Sequence, residues 1–265
     1  MDSRMETTIA GVTWKNPVTT ASGTFGSGRE YGELIDLNRL GAITVKGVSE
    51  EAWKGNPVPR LAETQSGLLN SIGLQNAGAE LFIENDIPFL RQYDTKIIVN
   101  ICGHTLSQYC AVAERFADCD IDMLELNISC PNVEEGGLSF GTDPHVVERV
   151  VKAVRHYVKQ PLIVKLSPEV TDITEMARAA VSGGADALSL INTLRGMKID
   201  IHKRKPILAN KIGGYSGPGI MPVALRMAYE VCHSVDVPVI GMGGISTFED
   251  ALQFIMAGAE AIAVG

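Results

Sequence analysis

Residues 182–188 read Ser-Gly-Gly-Ala-Asp-Ala-Leu, and residues 256–262 read Met-Ala-Gly-Ala-Glu-Ala-Ile. Each stretch follows a segment of helical periodicity and leads directly into a short apolar segment. Small residues at such a junction suit a helix that ends just before a strand begins. The similarity of the two stretches predicts a repeated unit of one strand and one helix.

The same alternation runs along most of the chain. Eight short segments rich in β-branched residues are predicted strands: Val18–Thr20, Ala42–Lys46, Lys96–Ile101, Met123–Asn127, Leu162–Leu166, Ala187–Ile191, Val239–Gly241 and Ala261–Val264. Amphipathic segments of helical period lie between most of them: Glu30–Leu40, Ala79–Arg91, Leu106–Ala117, Pro144–Lys159, Thr171–Ser182, Pro222–Ser234 and Thr247–Ala257. Strands that alternate with helices form parallel sheets, and the lack of a GxGxxG motif after the first strand disfavours a dinucleotide-binding sheet. We therefore expect an α/β fold, a (β/α)8 TIM barrel that forms one domain over residues 1–265.

Two segments are longer than a minimal barrel requires. Residues 47–77 and residues 196–217 contain Gly and Pro and show little periodicity. Each follows the carboxyl end of a predicted strand, where barrel enzymes place their active sites, and long segments there are often functional. The sequence stops in the eighth strand, at Gly265, so we expect a barrel that lacks its C-terminal helix.

The composition limits the classes of function. Of the 265 residues, 45% are apolar and 20% are charged, and the formal net charge is −8. An acidic chain is not attracted to nucleic acid or anionic lipid, and no apolar run reaches the roughly 20 residues that span a bilayer. Five cysteines without a CxxC pair predict reduced thiols and no metal site. We expect a cytoplasmic protein without a membrane or nucleic-acid partner.

Polar residues with few carboxylates stand at the carboxyl ends of the predicted strands. A single lysine or asparagine there is often only a rim residue or a turn former. Here two lysines and three asparagines follow or end five different strands: Lys46, Asn100, Asn127, Lys165 and Asn192. Together they predict a site whose donors suit an anionic ligand rich in carbonyl groups.

A glycine-rich turn follows the seventh predicted strand. Gly241-Met-Gly-Gly244 precedes Ser246, Thr247 and a predicted helix. Glycines allow backbone N–H groups to approach a phosphate at a helix N-terminus, and barrels often bind phosphate after strands seven and eight. The alternative is a turn capped by Ser246 or Thr247; the position in the barrel favours the phosphate site.

Cys130 lies in a loop just past a predicted strand, between Ser129 and Pro131. A thiol has an ordinary pKa of about 8.5, so it can act as a base near neutral pH if its surroundings help. Its position beside donor residues makes Cys130 the candidate catalytic residue. The remaining cysteines lie in or beside apolar segments, where a structural thiol is the simpler interpretation: Cys102, Cys110, Cys119 and Cys232.

A series of motifs in order extends the argument over residues 16–265. They are Asn16-Pro17, Ala21-Ser-Gly-Thr-Phe-Gly26, Gly55-Asn-Pro57, Pro59-Arg60, Leu69-Asn-Ser-Ile-Gly-Leu-Gln-Asn76, Glu125-Leu-Asn-Ile-Ser-Cys-Pro-Asn132, Ile191-Asn-Thr193, Ser216-Gly-Pro218 and Gly241-Met-Gly-Gly244. Taken together they resemble the class 1 dihydroorotate dehydrogenases. Cysteine in the fourth loop is typical of class 1, and the segments that begin at Ala21 and Gly73 resemble its B type, which works with a second subunit.

The resemblance implies a reaction and a set of roles. The enzyme would oxidise dihydroorotate to orotate in pyrimidine (UMP) biosynthesis, with Cys130 as the base that removes the C5 proton while the C6 hydride passes to FMN. The implied substrate residues are Lys46, Asn70, Ile72, Gly73, Leu74, Asn127, Asn192 and Thr193. The implied FMN residues are Ser22, Lys46, Gly47, Asn100, Asn127, Lys165, Ile191 and Gly217, with Gly243, Gly244 and Gly265 at the phosphate.

The resemblance also implies partners. A B-type chain would form a homodimer with an electron-transfer subunit on each side, a heterotetramer in which the partner carries FAD and an iron–sulfur cluster and delivers electrons to NAD. Three alternatives remain open at this point. They are another FMN barrel that oxidises a pyrimidine ring, a phosphate-binding barrel isomerase without redox chemistry, and a binding barrel without enzymatic activity.

Overall fold

The computed structural model describes residues 3–128, 134–135 and 138–265, and the side chains of residues 4–128 and 140–265. Eight parallel strands form its main sheet: β1 (Val18–Thr20), β2 (Ala42–Thr44), β3 (Lys96–Ile101), β4 (Met123–Asn127), β5 (Leu162–Lys165), β6 (Ala187–Leu190), β7 (Val239–Met242) and β8 (Ala261–Val264). Neighbours in the sheet are neighbours in sequence, and β8 pairs with β1. The predicted barrel and its eight strands are confirmed.

Threonine side chains close the barrel between β1 and β2, two fully described strands that no backbone ladder joins. Thr20 Oγ1 donates to the carbonyl of Thr44 at 2.9 Å and accepts from the Thr44 amide at 3.0 Å. Thr19 Oγ1 lies 3.0 Å from Thr44 Oγ1. All three residues are buried, so these bonds satisfy polar groups that a missing ladder would otherwise leave unpaired.

Helices connect the strands in the order that the sequence predicts. They are α1 (Arg29–Gly32), α2 (residues 79–90, with a π-helical turn at Phe82–Asp86), α3 (Leu106–Phe116), α4 (Pro144–Arg155), α5 (Ile173–Ser182), α6 (Met221–Cys232) and α7 (Phe248–Met256). Local sequence explains several starts: Asp143 Oδ1 accepts from the amides of His145 and Val146, and Thr247 and Asp250 form a capping box.

The first predicted helix, Glu30–Leu40, is wrong over most of its length. α1 ends at Gly32, and a separate 3-10 turn occupies Leu37–Arg39. Asp36 begins that turn, because its side chain accepts from the Asn38 amide at 3.0 Å. A glycine followed by a locally bonded aspartate breaks a helical pattern that the apolar spacing alone would continue.

The interior of the barrel changes from apolar to polar along the strands. Near their amino ends the inward side chains form one apolar cluster, which includes Ala42, Ile98, Met123, Ile163, Ala187 and Ala261. Two residues further along β3, β4 and β5 the inward side chains are Asn100, Glu125 and Lys165. A hairpin of Thr7–Ile9 and Val12–Trp14 covers the apolar end, where Ile9 and Trp14 are fully buried in the cluster.

The two long segments are not irregular loops. They supply a second, antiparallel sheet of four strands in the order Leu194–Met197, Ile212–Ser216, Gly67–Asn70 and Leu61–Thr64. The central pairing joins the segment after β2 to the segment after β6, with Asn70 opposite Gly214. This second sheet therefore lies over the carboxyl ends of the barrel strands, which is where the predicted site residues begin.

Candidate functional site

Lys165 and Ser22 meet inside the carboxyl end of the barrel. Lys165 is the last residue of β5, and its ammonium donates to Ser22 Oγ at 3.1 Å. Both residues are at most 5% exposed. A buried ammonium is unfavourable unless it has partners, so this lysine is placed to stabilise negative charge or a carbonyl oxygen of a bound molecule. The two residues predicted to bind the cofactor from β1 and β5 thus lie together.

A second set of polar side chains forms a hydrogen-bonded network across the interior of the barrel. Asn100 Nδ2 donates to Glu125 Oε1 at 2.6 Å, and Ser189 Oγ donates to Glu125 Oε2 at 2.7 Å. The three residues come from β3, β4 and β6, and each is at most 2% exposed. The remaining amide atom of Asn100, Oδ1, is buried and has no hydrogen-bond partner among the described residues. It is an acceptor that a bound N–H group can satisfy.

Glu125 and Ser189 were not among the predicted site residues. The sequence did carry a signal, because Glu125 is a charged residue between Leu124 and Leu126 in a buried strand. Side chains alternate along a strand, so a residue two positions before Asn127 shares its face. A charge on that inward face requires partners, and the facing strand residues are the places to look for them.

Lys46 and Gly47 follow β2 at the edge of this polar interior. A side chain at Gly47 would start 2.9 Å from Asn100 Oδ1 and 3.4 Å from Leu74 Cδ2, so glycine allows the backbone to pack this closely against Asn100. Lys46 is half-buried. Burial lowers the pKa of its ammonium, the charge of Arg60 lowers it further, and Glu30 opposes both effects. An anion bound beside Lys46 would relieve this unfavourable environment.

The predicted substrate loop is held in an unusual backbone path. Gly73 and Leu74 both have positive φ, +76° and +50°, and a side chain at Gly73 would collide with Asn56. Asn76 fixes the far end of the loop, because its Oδ1 accepts from the amides of Ser49 and Gly78 at 3.2 and 2.9 Å. The loop over Asn70, Ile72, Gly73 and Leu74 is therefore shaped before any ligand binds.

Two of the other predicted substrate residues, Asn70 and Thr193, contact Gly214 in the second sheet. Thr193 N donates to Asn192 Oδ1 at 2.8 Å, and Thr193 Oγ1 lies so near Gly214 that a side chain there could not fit. Asn70 Nδ2 donates to the carbonyl of Gly214 at 3.3 Å. Asn127 is buried at the end of β4, and its carbonyl accepts from the hydroxyl of Tyr109 at 2.5 Å. The sheet pairing therefore joins two of the predicted substrate segments.

Three of the predicted phosphate and flavin glycines converge at the start of α6. Gly217, Gly243 and Gly244 have φ values of +106°, +126° and +77°, which L side chains rarely adopt. A side chain at Gly244 would lie 2.8 Å from the Gly217 carbonyl and 2.9 Å from the Met221 amide nitrogen. Ile191 is buried, with its amide bonded to the Met242 carbonyl. Gly265 follows β8, which pairs with β7 just before Gly243, and a side chain there would lie 3.5 Å from Ala21 and Thr24.

The proposed base, Cys130, lies outside the described residues. The other thiols are in poor environments for base chemistry. Cys102 is fully buried, and burial raises the pKa of Cys110 and Cys119. Burial also raises the pKa of Cys232 to about 12, with a further contribution from Glu260. The interpretation of these four as structural thiols is consistent with their surroundings.

In residues 3–128 and 138–265, no group of three or more His, Cys, Asp and Glu side chains could hold a metal ion. No helix in the same part of the chain is both long and apolar enough to cross a membrane.

Comparison with known proteins identifies the family. The family model described as dihydroorotate dehydrogenase matches residues 4–265. A protein of Alkaliphilus metalliredigens named dihydroorotate dehydrogenase B (NAD(+)), catalytic subunit, is 69% identical over 261 residues, 98% of this chain and 86% of the relative. The protein of the same name from Geobacter sulfurreducens is 56% identical over 258 residues, 97% of this chain and 85% of the relative.

A solved structure agrees on the fold. The crystal structure of DHODH from Eimeria tenella in complex with ferulenol superposes with a TM-score of 0.81, at 22% identity, over 100% of this chain and 79% of that chain. At this identity the likeness bears on the fold alone, and it supports the barrel. The family match over nearly the whole chain, together with relatives of such high identity, decides the assignment. The chain belongs to the dihydroorotate dehydrogenase family.

Proposed function

We propose that this chain is an FMN-carrying barrel domain that oxidises dihydroorotate to orotate in pyrimidine biosynthesis, as the catalytic subunit of a B-type enzyme. The observation that carries the proposal is the polar end of the barrel. There the barrel holds a buried lysine, Lys165, and a buried acceptor without a partner among the described residues, Asn100 Oδ1, and Gly47 packs against that acceptor where a side chain would not fit. The names of the relatives supply the substrate, dihydroorotate, and the electron acceptor, NAD(+).

The residues fit a flavin mononucleotide. An isoalloxazine ring offers an N–H for the free Asn100 oxygen and a carbonyl for the Lys165 ammonium, which also stabilises negative charge on the reduced ring. Gly217, Gly243 and Gly244 would let backbone N–H groups approach a phosphate near the start of α6, because the chain packs there too closely for side chains. Ser22 orients Lys165 through their hydrogen bond. Lys46, Gly47, Asn127 and Ile191 would complete the ring site, with Gly265 beside the phosphate.

The substrate is a ring with amide groups and one carboxylate. Asparagine side chains pair with amide groups because each carries both a donor and an acceptor. Asn70, Asn127 and Asn192 would hold the ring, together with Thr193 and the backbone of Ile72, Gly73 and Leu74. Lys46 would pair with the carboxylate, because an anion there offsets the burial that lowers the pKa of its ammonium.

The reaction removes a proton and a hydride from adjacent carbons. The bound flavin supplies the hydride acceptor. Cys130 would remove the C5 proton as its thiolate, and the carbonyl contacts of the asparagines would hold C5 and C6 in position between the base and the flavin. The loop at Gly73 and Leu74 would cover the ring and exclude water from it. Its positive φ values set its conformation before the substrate arrives.

The electrons must then leave the barrel. No GxGxxG motif follows a strand, and the cysteines lack iron–sulfur cluster spacing, so NAD reduction by this chain alone has no visible route. The relatives are named catalytic subunits, which implies a second subunit. We propose a cytoplasmic heterotetramer, a homodimer of this chain with a partner on each side that carries FAD and an iron–sulfur cluster.

The deciding experiment compares the chain alone with the chain plus its partner. The purified chain should be yellow, should release FMN on denaturation and should be bleached by dihydroorotate without oxygen. It should reduce artificial acceptors but not NAD, and NAD reduction should appear with the partner. A colourless protein that cannot be loaded with FMN would contradict the cofactor, whereas NAD turnover by the lone chain would contradict only the partner.

A further inference from the structure

Glu125 is a carboxylate in the interior of the barrel that no step of the proposed reaction uses. It lies in the middle of β4, opposite Asn100 on β3 and Ile163 on β5, and is 2% exposed. Burying a carboxylate is unfavourable, and an apolar residue would fill the same volume without that penalty. A charge retained here therefore points to a requirement for its hydrogen bonds.

Both oxygens of this carboxylate accept hydrogen bonds in the structure. Oε1 accepts from Asn100 Nδ2 at 2.6 Å, and Oε2 accepts from Ser189 Oγ at 2.7 Å. Ser189 comes from β6, so β5 lies between the two strands that the Glu125–Ser189 bond joins. The serine thus fixes the carboxylate from the opposite side, and the carboxylate in turn fixes Asn100.

The consequence for Asn100 follows from the asymmetry of its amide. Both Glu125 oxygens accept hydrogen bonds here, so the one that faces Asn100 receives the NH2 group, and the amide oxygen lies on the other side. That oxygen is buried, has no partner among the described residues, and lies 2.9 Å from where a side chain on Gly47 would begin. With the amide reversed, the NH2 group would face this space.

We propose that Glu125, held by Ser189, is a positioning residue that locks the Asn100 amide so that its oxygen faces the bound flavin and accepts a ring N–H. The inference rests on the proposed function, since it takes FMN as the ligand. A reversed amide would set NH2 against N–H, two donors without an acceptor. The pair therefore selects a ring that presents a donor at this point.

The test exchanges the two functional groups. Asn100→Asp puts two carboxylates against each other, and we expect FMN affinity to fall about ten- to hundredfold, the effect of one unpaired buried group. Glu125→Gln alone should have a smaller effect, because the glutamine amide can reverse against the Ser189 hydroxyl. In the double variant Glu125→Gln/Asn100→Asp, the introduced glutamine amide can donate to the introduced carboxylate while an oxygen of that carboxylate still faces the flavin. The double variant should recover FMN affinity to within a few-fold of the unmodified protein.

The readouts are the FMN dissociation constant of apoprotein, from quenching of flavin fluorescence, and the unfolding temperature of each apoprotein. Additive losses in the double variant, or a double variant that folds normally but binds FMN no better than Asn100→Asp, would overturn the positioning role. If Asn100→Asp does not fold, the comparison of the double variant with the unmodified protein decides the question in the same way. Failure of the unmodified apoprotein to bind FMN would instead contradict the proposed function.

Discussion

The two ends of the barrel are built from the same eight strands but differ in every other respect. At the amino end, Trp14 is fully buried over an apolar cluster that includes Ile98 and Met123. Two residues further along the same strands, toward their carboxyl ends, the inward side chains are Asn100 and Glu125. An apolar layer and a polar layer thus lie about two residues apart along the strands, so we expect substitutions at the two ends to have separable effects on stability and on the proposed reaction.

The largest effect is expected from Cys130→Ala, in the segment that follows β4 in the sequence. Loss of a general base typically lowers a rate by about 10²–10⁴. The variant should keep FMN and its unfolding temperature but lose that factor in the rate of flavin reduction by dihydroorotate, measured by stopped-flow absorbance without oxygen.

A matched control is Cys119→Ala, at a half-buried thiol whose Sγ lies 3.2 Å from the Arg115 carbonyl outside the site. It should leave the reduction rate unchanged. Near-normal reduction by the Cys130→Ala enzyme would remove the thiol from the mechanism.

The counterpart at the amino end is Trp14→Ala. Replacing a fully buried tryptophan with alanine costs about 3–5 kcal/mol of unfolding free energy, because packing is lost and a cavity remains. We expect a large loss in urea-induced unfolding with flavin reduction little changed in the folded fraction. Trp14→Phe is the control: it keeps most of the apolar volume and removes a buried indole N–H that has no partner among the described residues, so its loss should be much smaller. Equal losses in the two variants would mean that Trp14 packing does not hold this end.

Lys165→Met should have the opposite effect to Trp14→Ala, with stability nearly unchanged and flavin reduction slowed. The change removes the ammonium that bonds Ser22 but keeps a long apolar chain, so folding should be affected little. We expect flavin reduction to slow by about ten- to hundredfold, the worth of one charge-assisted hydrogen bond, with a lower flavin reduction potential. An unchanged potential measured by spectroelectrochemistry would show that the Lys165 ammonium does not act on the flavin. Lys159→Met, at an exposed lysine outside the site that pairs with Asp118, is the control for charge alone.

The smallest effects are expected where the barrel closes, between the two ends. Thr20→Val removes both bonds to the Thr44 backbone and should cost about 1–3 kcal/mol, because two buried backbone groups lose a partner. Thr19→Val removes only the contact between hydroxyls and should cost about 1 kcal/mol. Chemical denaturation measures both. A Thr19 effect as large as that of Thr20 would show that the hydroxyl pair, and not the backbone contacts, closes the barrel.

Much of the barrel could be predicted because its information is local. Strand segments alternate with periodic helices, and capping residues such as Asp143 mark helix starts. The prediction of the first helix was wrong because the helix ends at Gly32 and Asp36 caps a separate 3-10 turn, which the apolar spacing does not reveal. The candidate site residues came from strand ends and from the family resemblance, and their roles stay a prediction. Glu125 was missed because its partner Ser189 is 64 residues away in sequence.

The second sheet was missed for a related reason. Its central pairing joins Asn70 to Gly214, and no periodicity within either segment signals a partner so distant in the chain. Its strands are also short and rich in glycine, so their alternation is weak.

That sheet also bears on how such an enzyme can be altered. In many barrels the connecting loops behave as independent modules, and one can be lengthened, shortened or exchanged without regard to the others. Here the excursions after β2 and β6 share one hydrogen-bonded ladder, with Leu69 opposite Tyr215 and Leu68 opposite Ser216. An insertion of one residue in either strand would turn its inward side chains outward and shift Asn70 relative to Thr193. Changes of strand register in this architecture therefore have to arise in both excursions together, and a graft from another barrel must carry the two as one piece.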